Sequence, residues 1–583
     1  MSAPAGRLMG EYRSAEHEGA PADAAGRLLA TAEAVLARRL ASEPSIAMGA
    51  GQPVRHLATL DPARLHADAA CFVQARDTLD TLPAAELSIE QDSFRRALVV
   101  DLSHRAEAAR YRGLDFVVAP YSGGDLHAEA RQALAAHPLA SAPDREAYVE
   151  LLRDYARLTR EMLAHTSRQQ ASGVYPAAPA VPAARAALKG VIDTMSTAVL
   201  PADDRLASTT PTAREALRAT VSAILQRELL PPLQRLCELL EGDGAMRGPD
   251  ELGLHRYPGG EACYRHLIRR HAETDLEPEA IHQTGLQALD RLHEIKSDLR
   301  ARLLPGIEAR DFERALRADT RWRAATPADI EACFVAHVRR VEALLPRWFG
   351  RWPATPWAVT RADPAFEHGM TFGYFQRATP ADPVGRYRYN GSDPGGRSLI
   401  GAGHLICHEL LPGHHLQLSI QDRAPLVHPL QRLLFSTATV EGWAVYASEL
   451  ACEMGALTGF DLYGHAQMQG LMAARLVVDT GLNALGWTLD QARAFMHTQT
   501  VESEGVIESE LLRYGADIPA QALAYEMGRI GIARIRQHAQ DGLGAAFDVR
   551  QFHDALLVNG GYPLPVLAAQ IDRWMAGVGG SSA

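Results

Sequence analysis

Aromatic residues make up only 6% of this 583-residue chain, too few for a stacking platform for single-stranded nucleic acid. Basic residues also fall short: 59 lysines and arginines stand against 70 acidic residues, a net charge of −11. A nucleic-acid binder normally presents a basic face, so that class of partner is not expected. The six cysteines (Cys71, Cys237, Cys263, Cys333, Cys407 and Cys452) form no CxxC pair. Scattered in this way they suit free core thiols in a reducing compartment better than a disulfide framework. There is no run of apolar residues long enough to cross a bilayer, so no membrane partner is expected. Met1 to Arg7 leads into the acidic region Glu11 to Glu18 without the apolar stretch of a signal peptide, which points to the cytoplasm. Two common chemistries lack their motifs. No Gly-x-Ser-x-Gly elbow offers a serine nucleophile, and no Gly-Lys-Ser/Thr follows Gly395-Gly396 or Gly401-Ala402-Gly403 to complete a phosphate loop.

What is present is helix. Leu28, Leu29, Ala32, Val35, Leu36 and Leu40 recur at helical spacing, and similar patterns cover 64–80, 91–111, 183–199, 277–304 and 326–347. A further helical stretch over 212–240 is expected to break at Pro231-Pro232. The proline-rich section from Trp352 to Arg397 differs. Short extended pieces are expected at 371–376 and 386–390, the latter either a surface hairpin or, as the resemblance given below implies, a strand lying antiparallel to a bound substrate. The expected fold is mainly α: a large multi-helix scaffold with a small β element. Residues 1–20 are expected to be disordered, 21–245 to form an N-terminal helical region and 246–583 a second region, which the motif described next marks as metal-binding and catalytic, near its small β element and within one continuous fold.

Chemistry concentrates in His408-Glu409-Leu410-Leu411-Pro412-Gly413-His414-His415. This reads as HExxH with a Pro-Gly pair inserted before the second histidine. In the plain motif two histidines four apart bind zinc from one helix face, and the glutamate is general base on a metal-bound water. Here His408 and His414 are six apart, about 120° around an undistorted helix, which cannot serve one metal. Pro412 removes a backbone donor and clashes with the carbonyl of His408, and Gly413 tolerates the conformation that results. The helix must therefore bulge or break. Glu441, in the helical stretch Glu441 to Ala447, lies far enough downstream to return on a second helix as third ligand. His404 is four residues before His408, but its use would leave Glu409 and Glu441 without familiar roles, so it reads as a neighbour.

These residues, with Gly253-Leu254, Tyr257 to Glu261, Arg475 to Gly481, Arg513-Tyr514, Gln521 to Gly528 and Phe552 to Leu557, resemble a bacterial family catalogued as domain of unknown function 885. The resemblance covers roughly 250–575 and implies a place in the wider HExxH metallopeptidase clan. Relatives with an aromatic residue at the His415 position imply that His414 is the ligand and His415 a substrate contact or support. Two departures stand out: Asn483 where relatives carry histidine, and Ala520 where the family has glycine. Asn483 is therefore expected beside the metal cleft, with a change of substrate choice.

The reading is a zinc hydrolase that cleaves an amide bond in a peptide or peptide-like small molecule. His408, His414 and Glu441 hold Zn²⁺ or another divalent transition metal, and Glu409 activates water. Tyr514, Tyr525 and His553 are candidate oxyanion donors, and Arg513, with Tyr514 favoured by the resemblance, a candidate carboxylate clamp. The alternatives are a metallohydrolase or lyase acting on a non-peptide metabolite, and a non-catalytic helical binding protein with a structural metal.

Overall fold

The structure, a computed structural model, describes residues 23–241, 247–352, 355–364, 367, 372–379, 382–396 and 398–580. The expectation for residues 1–20 and part of the turn after Glu241 lie outside these.

The protein is mainly helical, with one three-stranded sheet. The periodic segments form helices close to their expected limits, and their ends show why. Asp23 caps the helix Ala24–Ser42 by accepting from the Gly26 amide at 2.7 Å. Asp61 and Pro62 open Pro62–Asp80, and a capping box of Ser88 and Gln91 opens Ile89–Ala108. Before Pro231-Pro232 the helix Pro211–Ile224 widens into a π-turn, Leu225–Leu229, and resumes as Leu230–Leu239 with the prolines in its first turn. The two missing amide donors are thus absorbed where the ladder changes register.

Two apolar clusters dominate the interior. One is confined to the segment between Ala47 and Leu240. The other joins the first three long helices to the C-terminal half, running from Ala24 through Phe94, Val338, Ile406 and Trp443 to Ile571. The first helices thus pack against the elements that carry the histidine motif.

The sheet has the order β1-β3-β2, where β1 is Trp357–Arg361, β2 Gly373–Gln376 and β3 Gly385–Tyr389. β3 runs parallel to β1 and antiparallel to β2. This corrects the expected role of 386–390: both edges of β3 are paired, so it cannot take a substrate strand, and Tyr387 is fully buried. β1 and β2 are the edge strands, and β2 carries Phe375, whose ring stacks on His414.

The backbone at Ala520 has the conformation that suits the glycine implied there by the resemblance; nothing in the structure explains the alanine. Its φ is 65°, the left-handed region that disfavours a Cβ. The conformation turns its amide onto Asp479, whose two carboxylate oxygens it meets at 3.1 Å. Ala520→Gly is expected to raise the unfolding free energy by about 1 kcal/mol, measured by denaturant titration; no gain would mean that the site relaxes around the alanine.

Candidate metal centre

The motif helix Ala402–Glu409 ends at Leu410, whose φ and ψ of −110° and −93° leave the helical region. A second helix starts at His414 and runs to Gln421. The break expected from Pro412-Gly413 is present, and a side chain has no room at Gly413. Its φ and ψ are −77° and −134°, and a Cβ there would lie 1.9 Å from the His408 carbonyl oxygen and 2.4 Å from that of Cys407. Gly413→Ala is therefore expected to prise the two histidines apart and lower metal affinity, read as zinc retained after dialysis.

Glu441 comes from the helix Thr437–Glu453, capped by Ser436, which accepts from the Thr439 amide at 2.9 Å. Its neighbours position it. A Cβ on Gly442 would meet the Gly528 carbonyl carbon at 2.3 Å, and one on Gly528 the Ala438 oxygen at 2.0 Å. The helices Thr437–Glu453 and Leu523–Leu543 thus cross backbone to backbone. Next to it the Trp443 indole donates to the Pro412 carbonyl at 3.1 Å, tying the glutamate helix to the break.

The result is convergence. His408 Nε2 lies 3.5 Å and His414 Nε2 3.6 Å from Glu441 Oε2, with the two imidazole rings 4.8 Å apart and nearly perpendicular. All three residues are buried. Two ligand atoms on one tetrahedral ion with bonds of about 2.1 Å lie about 3.4 Å apart. The spacing fits a shared ion better than a direct hydrogen bond. Among the described residues this is the one group of three whose donor atoms, all within 4.8 Å of one another, could hold a metal.

Electrostatics agree with a preformed ligand set. Burial opposes ionisation of Glu441, but the facing imidazoles overcome it and hold its carboxyl well below the usual range. Burial lowers His408, only partly offset by Glu441, whereas for His414 the carboxylates of Glu441 and Glu409 outweigh burial and raise it. Glu409 is different: burial and the Glu441 charge push it up to about 7, against the pull of His414 and the Phe375 backbone. Its Oε2 is buried without a hydrogen-bond partner.

The other expected residues divide. The His415 ring is fixed by Nε2 on the Thr355 carbonyl at 3.0 Å, and a Cβ on Gly385 would meet its Nδ1 at 2.2 Å. It braces the sheet against the second motif helix. His404 pairs with His465 at 3.0 Å and remains a neighbour. His553 is held by the Trp348 carbonyl at 2.8 Å and the Tyr446 hydroxyl at 2.9 Å. The Tyr514 hydroxyl binds Glu510 and accepts from Arg475 at 3.0 Å. Tyr525 is the phenol that flanks the trio: its ring stacks on His408 at 6.2 Å, and its hydroxyl accepts from Arg513 at 3.4 Å. Arg513 also reaches Glu510 at 3.4 Å.

Arg475, whose guanidinium lies 4.7 Å over the Tyr525 ring and pairs with Glu510 at 2.9 Å, had no assigned role in the sequence reading. A lone arginine in the apolar run Leu471 to Val478 was the available signal. Asn483 corrects an expectation outright. It lines neither cavity near the site, and its amide is fully engaged. Oδ1 accepts from Leu254 and Nδ2 donates to the Asp479 and Tyr514 carbonyls, each at 3.0 Å. It is a packing tie, and the specificity argument built on it falls.

The family model described as a bacterial protein of unknown function (DUF885) matches residues 44–571. The chain belongs to that family. No curated protein matches it. Among solved structures, a "putative lipoprotein" from Colwellia psychrerythraea is similar with a TM-score of 0.80 and 22% identity, over 95% of this chain and 100% of that one. Another "putative lipoprotein" of unknown function, from Shewanella oneidensis, gives 0.72 and 17% over 93% and 99%. At such identities the likeness speaks for the DUF885 fold alone.

Proposed function

We propose that this DUF885 protein is a metal-dependent hydrolase of the HExxH type, cleaving an amide bond in a peptide or peptide-like small molecule. The observation that carries the reading is the meeting of His408, His414 and Glu441 across a broken helix, beside a buried carboxylate oxygen of Glu409 that has no partner. Two imidazoles and one carboxylate suit zinc, and leave one coordination position open. When bound, the metal would polarise the amide carbonyl and acidify a water.

The chain's own residues do the rest. Glu409 accepts the water proton and returns it to the leaving amine. Tyr525, whose hydroxyl accepts from Arg513 and whose ring lies under the Arg475 guanidinium, would donate to the oxygen on which charge develops. Burial of the trio excludes bulk water around them. The free Glu409 oxygen favours catalysis over a structural metal, because a structural site closes with four protein ligands and uses no base.

The six cysteines are all free, as a reducing compartment such as the cytoplasm would leave them, whereas two similar structures are described as "putative lipoprotein". Cell fractionation tests that point. For the activity, metal analysis of the purified protein followed by a mixed-peptide digest read by mass spectrometry is the test. A bound divalent metal with metal-dependent cleavage is expected; metal-loaded protein that leaves every peptide intact would remove the peptidase reading.

A further inference from the structure

The small pocket touching His414 and Glu441 continues into a cavity of about 870 Å³; Arg377, Arg432, Leu434, Phe435 and Gly561 line both. The wall of the larger cavity carries many charges, and nearly all are neutralised locally. Arg39 meets Glu43 at 2.9 Å, Arg105 meets Asp101 at 2.8 Å and Arg112 meets Asp115 at 3.0 Å. Arg377 and Arg432 share Asp422.

Arg270 differs. It sits in the last turn of the helix Gly260–Ala272, lines the cavity and is exposed to it. Among the described residues of this wall, it is the arginine with no hydrogen bond or ion pair. Asp101 and Asp115 attract it only at longer range, while burial and Arg105 hold it below the ordinary arginine value. A guanidinium stays charged even so. The imidazoles nearby do not add charge: burial brings His104 down to about 4 and His271 to about 3. A guanidinium that faces the cavity with no protein partner keeps its donors free for an anion entering from that side.

We propose that Arg270 receives a carboxylate of the substrate, so that the site takes peptide-like molecules bearing a negative charge on the cavity side of the bond cleaved. This rests on the hydrolase reading of the trio. The reach is suitable. His271 Nδ1, in the residue beside Arg270, lies 3.4 Å from the Thr437 hydroxyl, and Thr437 precedes Glu441 by one turn, about 6 Å along the axis. An extended peptide advances about 3.3–3.6 Å per residue, so a few residues bridge the two places. The planar guanidinium offers a carboxylate two parallel donors.

The test is calorimetric titration of zinc-loaded protein in the Glu409→Gln background, where turnover is expected to be about 10²–10⁴-fold slower. The probes are N-acetylated tetra-alanine as the free acid, the same peptide as C-terminal amide, and the amide with glutamate at the third position. The free acid or the glutamate peptide is expected to bind about 10–100-fold tighter than the plain amide, and which of them gains tells a terminal carboxylate from a side chain. Arg270→Gln should abolish the difference without changing zinc content, and Arg270→Lys should keep part of it. Equal binding of all three peptides, no binding of any, or a preference that survives Arg270→Gln overturns the proposal. The preference of protein with Arg270 intact decides the matter even if the variant fails to fold. A preference without any cleavage by protein retaining Glu409 would sink the hydrolase reading and leave the anion site standing; cleavage without preference would do the reverse.

Discussion

Glu409→Gln is expected to keep its metal and to lose turnover by about 10²–10⁴-fold, the usual contribution of a positioned general base. The substitution preserves the shape of a half-buried side chain whose Oε2 is buried and meets no protein donor. An amide there can still hydrogen-bond a water but cannot take its proton. Zinc content by elemental analysis and turnover on whichever peptide the digest identifies separate the two effects. If metal is lost in step with activity, Glu409 is a ligand and water activation must be assigned elsewhere.

Glu441→Gln should behave in the opposite order, losing metal first and activity as a consequence. Its carboxylate faces both imidazoles, at 3.5 and 3.6 Å, and is the only anionic member of the trio. Removing a group that merely buttresses a metal ligand costs about 10–100-fold in affinity, so losing a ligand itself should cost more. Competition with a chelator of known affinity measures this. The neutral variant also leaves His408 and His414 facing an amide, so excess zinc should restore part of the activity. Unchanged zinc affinity would show that Glu441 does not bind the ion.

The meeting of His408, His414 and Glu441 was legible in the sequence because each clue was local. The types His, Glu and His, the six-residue spacing, and Pro412-Gly413 between them together demand a broken helix. The following helical glutamate then supplies a third candidate ligand. What could not be read depends on contacts between distant segments. Gly442 and Trp443 stand beside Glu441 in sequence, but only the crossing with Gly528 and the bond to the Pro412 carbonyl reveal what they do.

Tyr514 was the favoured phenol, yet the chain passes through a π-turn at Arg513–Asp517. Tyr514 faces Glu510, and Tyr525 stacks on His408. Asn483 looked like a change of specificity because a histidine was expected there. Its neighbours Leu254 and Tyr514, both distant in sequence, make it a tie between segments. The large cavity is lined from Arg39 to Pro563 by pieces of many elements, so no window of sequence contains its pattern.

The central claim is that one ion sits among His408, His414 and Glu441. Diffraction data from zinc-soaked crystals, collected on either side of the zinc absorption edge, test it most directly. The expected anomalous map has a peak bonded to both histidine Nε2 atoms and the Glu441 carboxylate at about 2.0–2.2 Å, with a non-protein oxygen in the remaining position near Glu409. A trio left empty by zinc while the ion binds elsewhere would contradict the account, as would a fourth protein ligand closing the site.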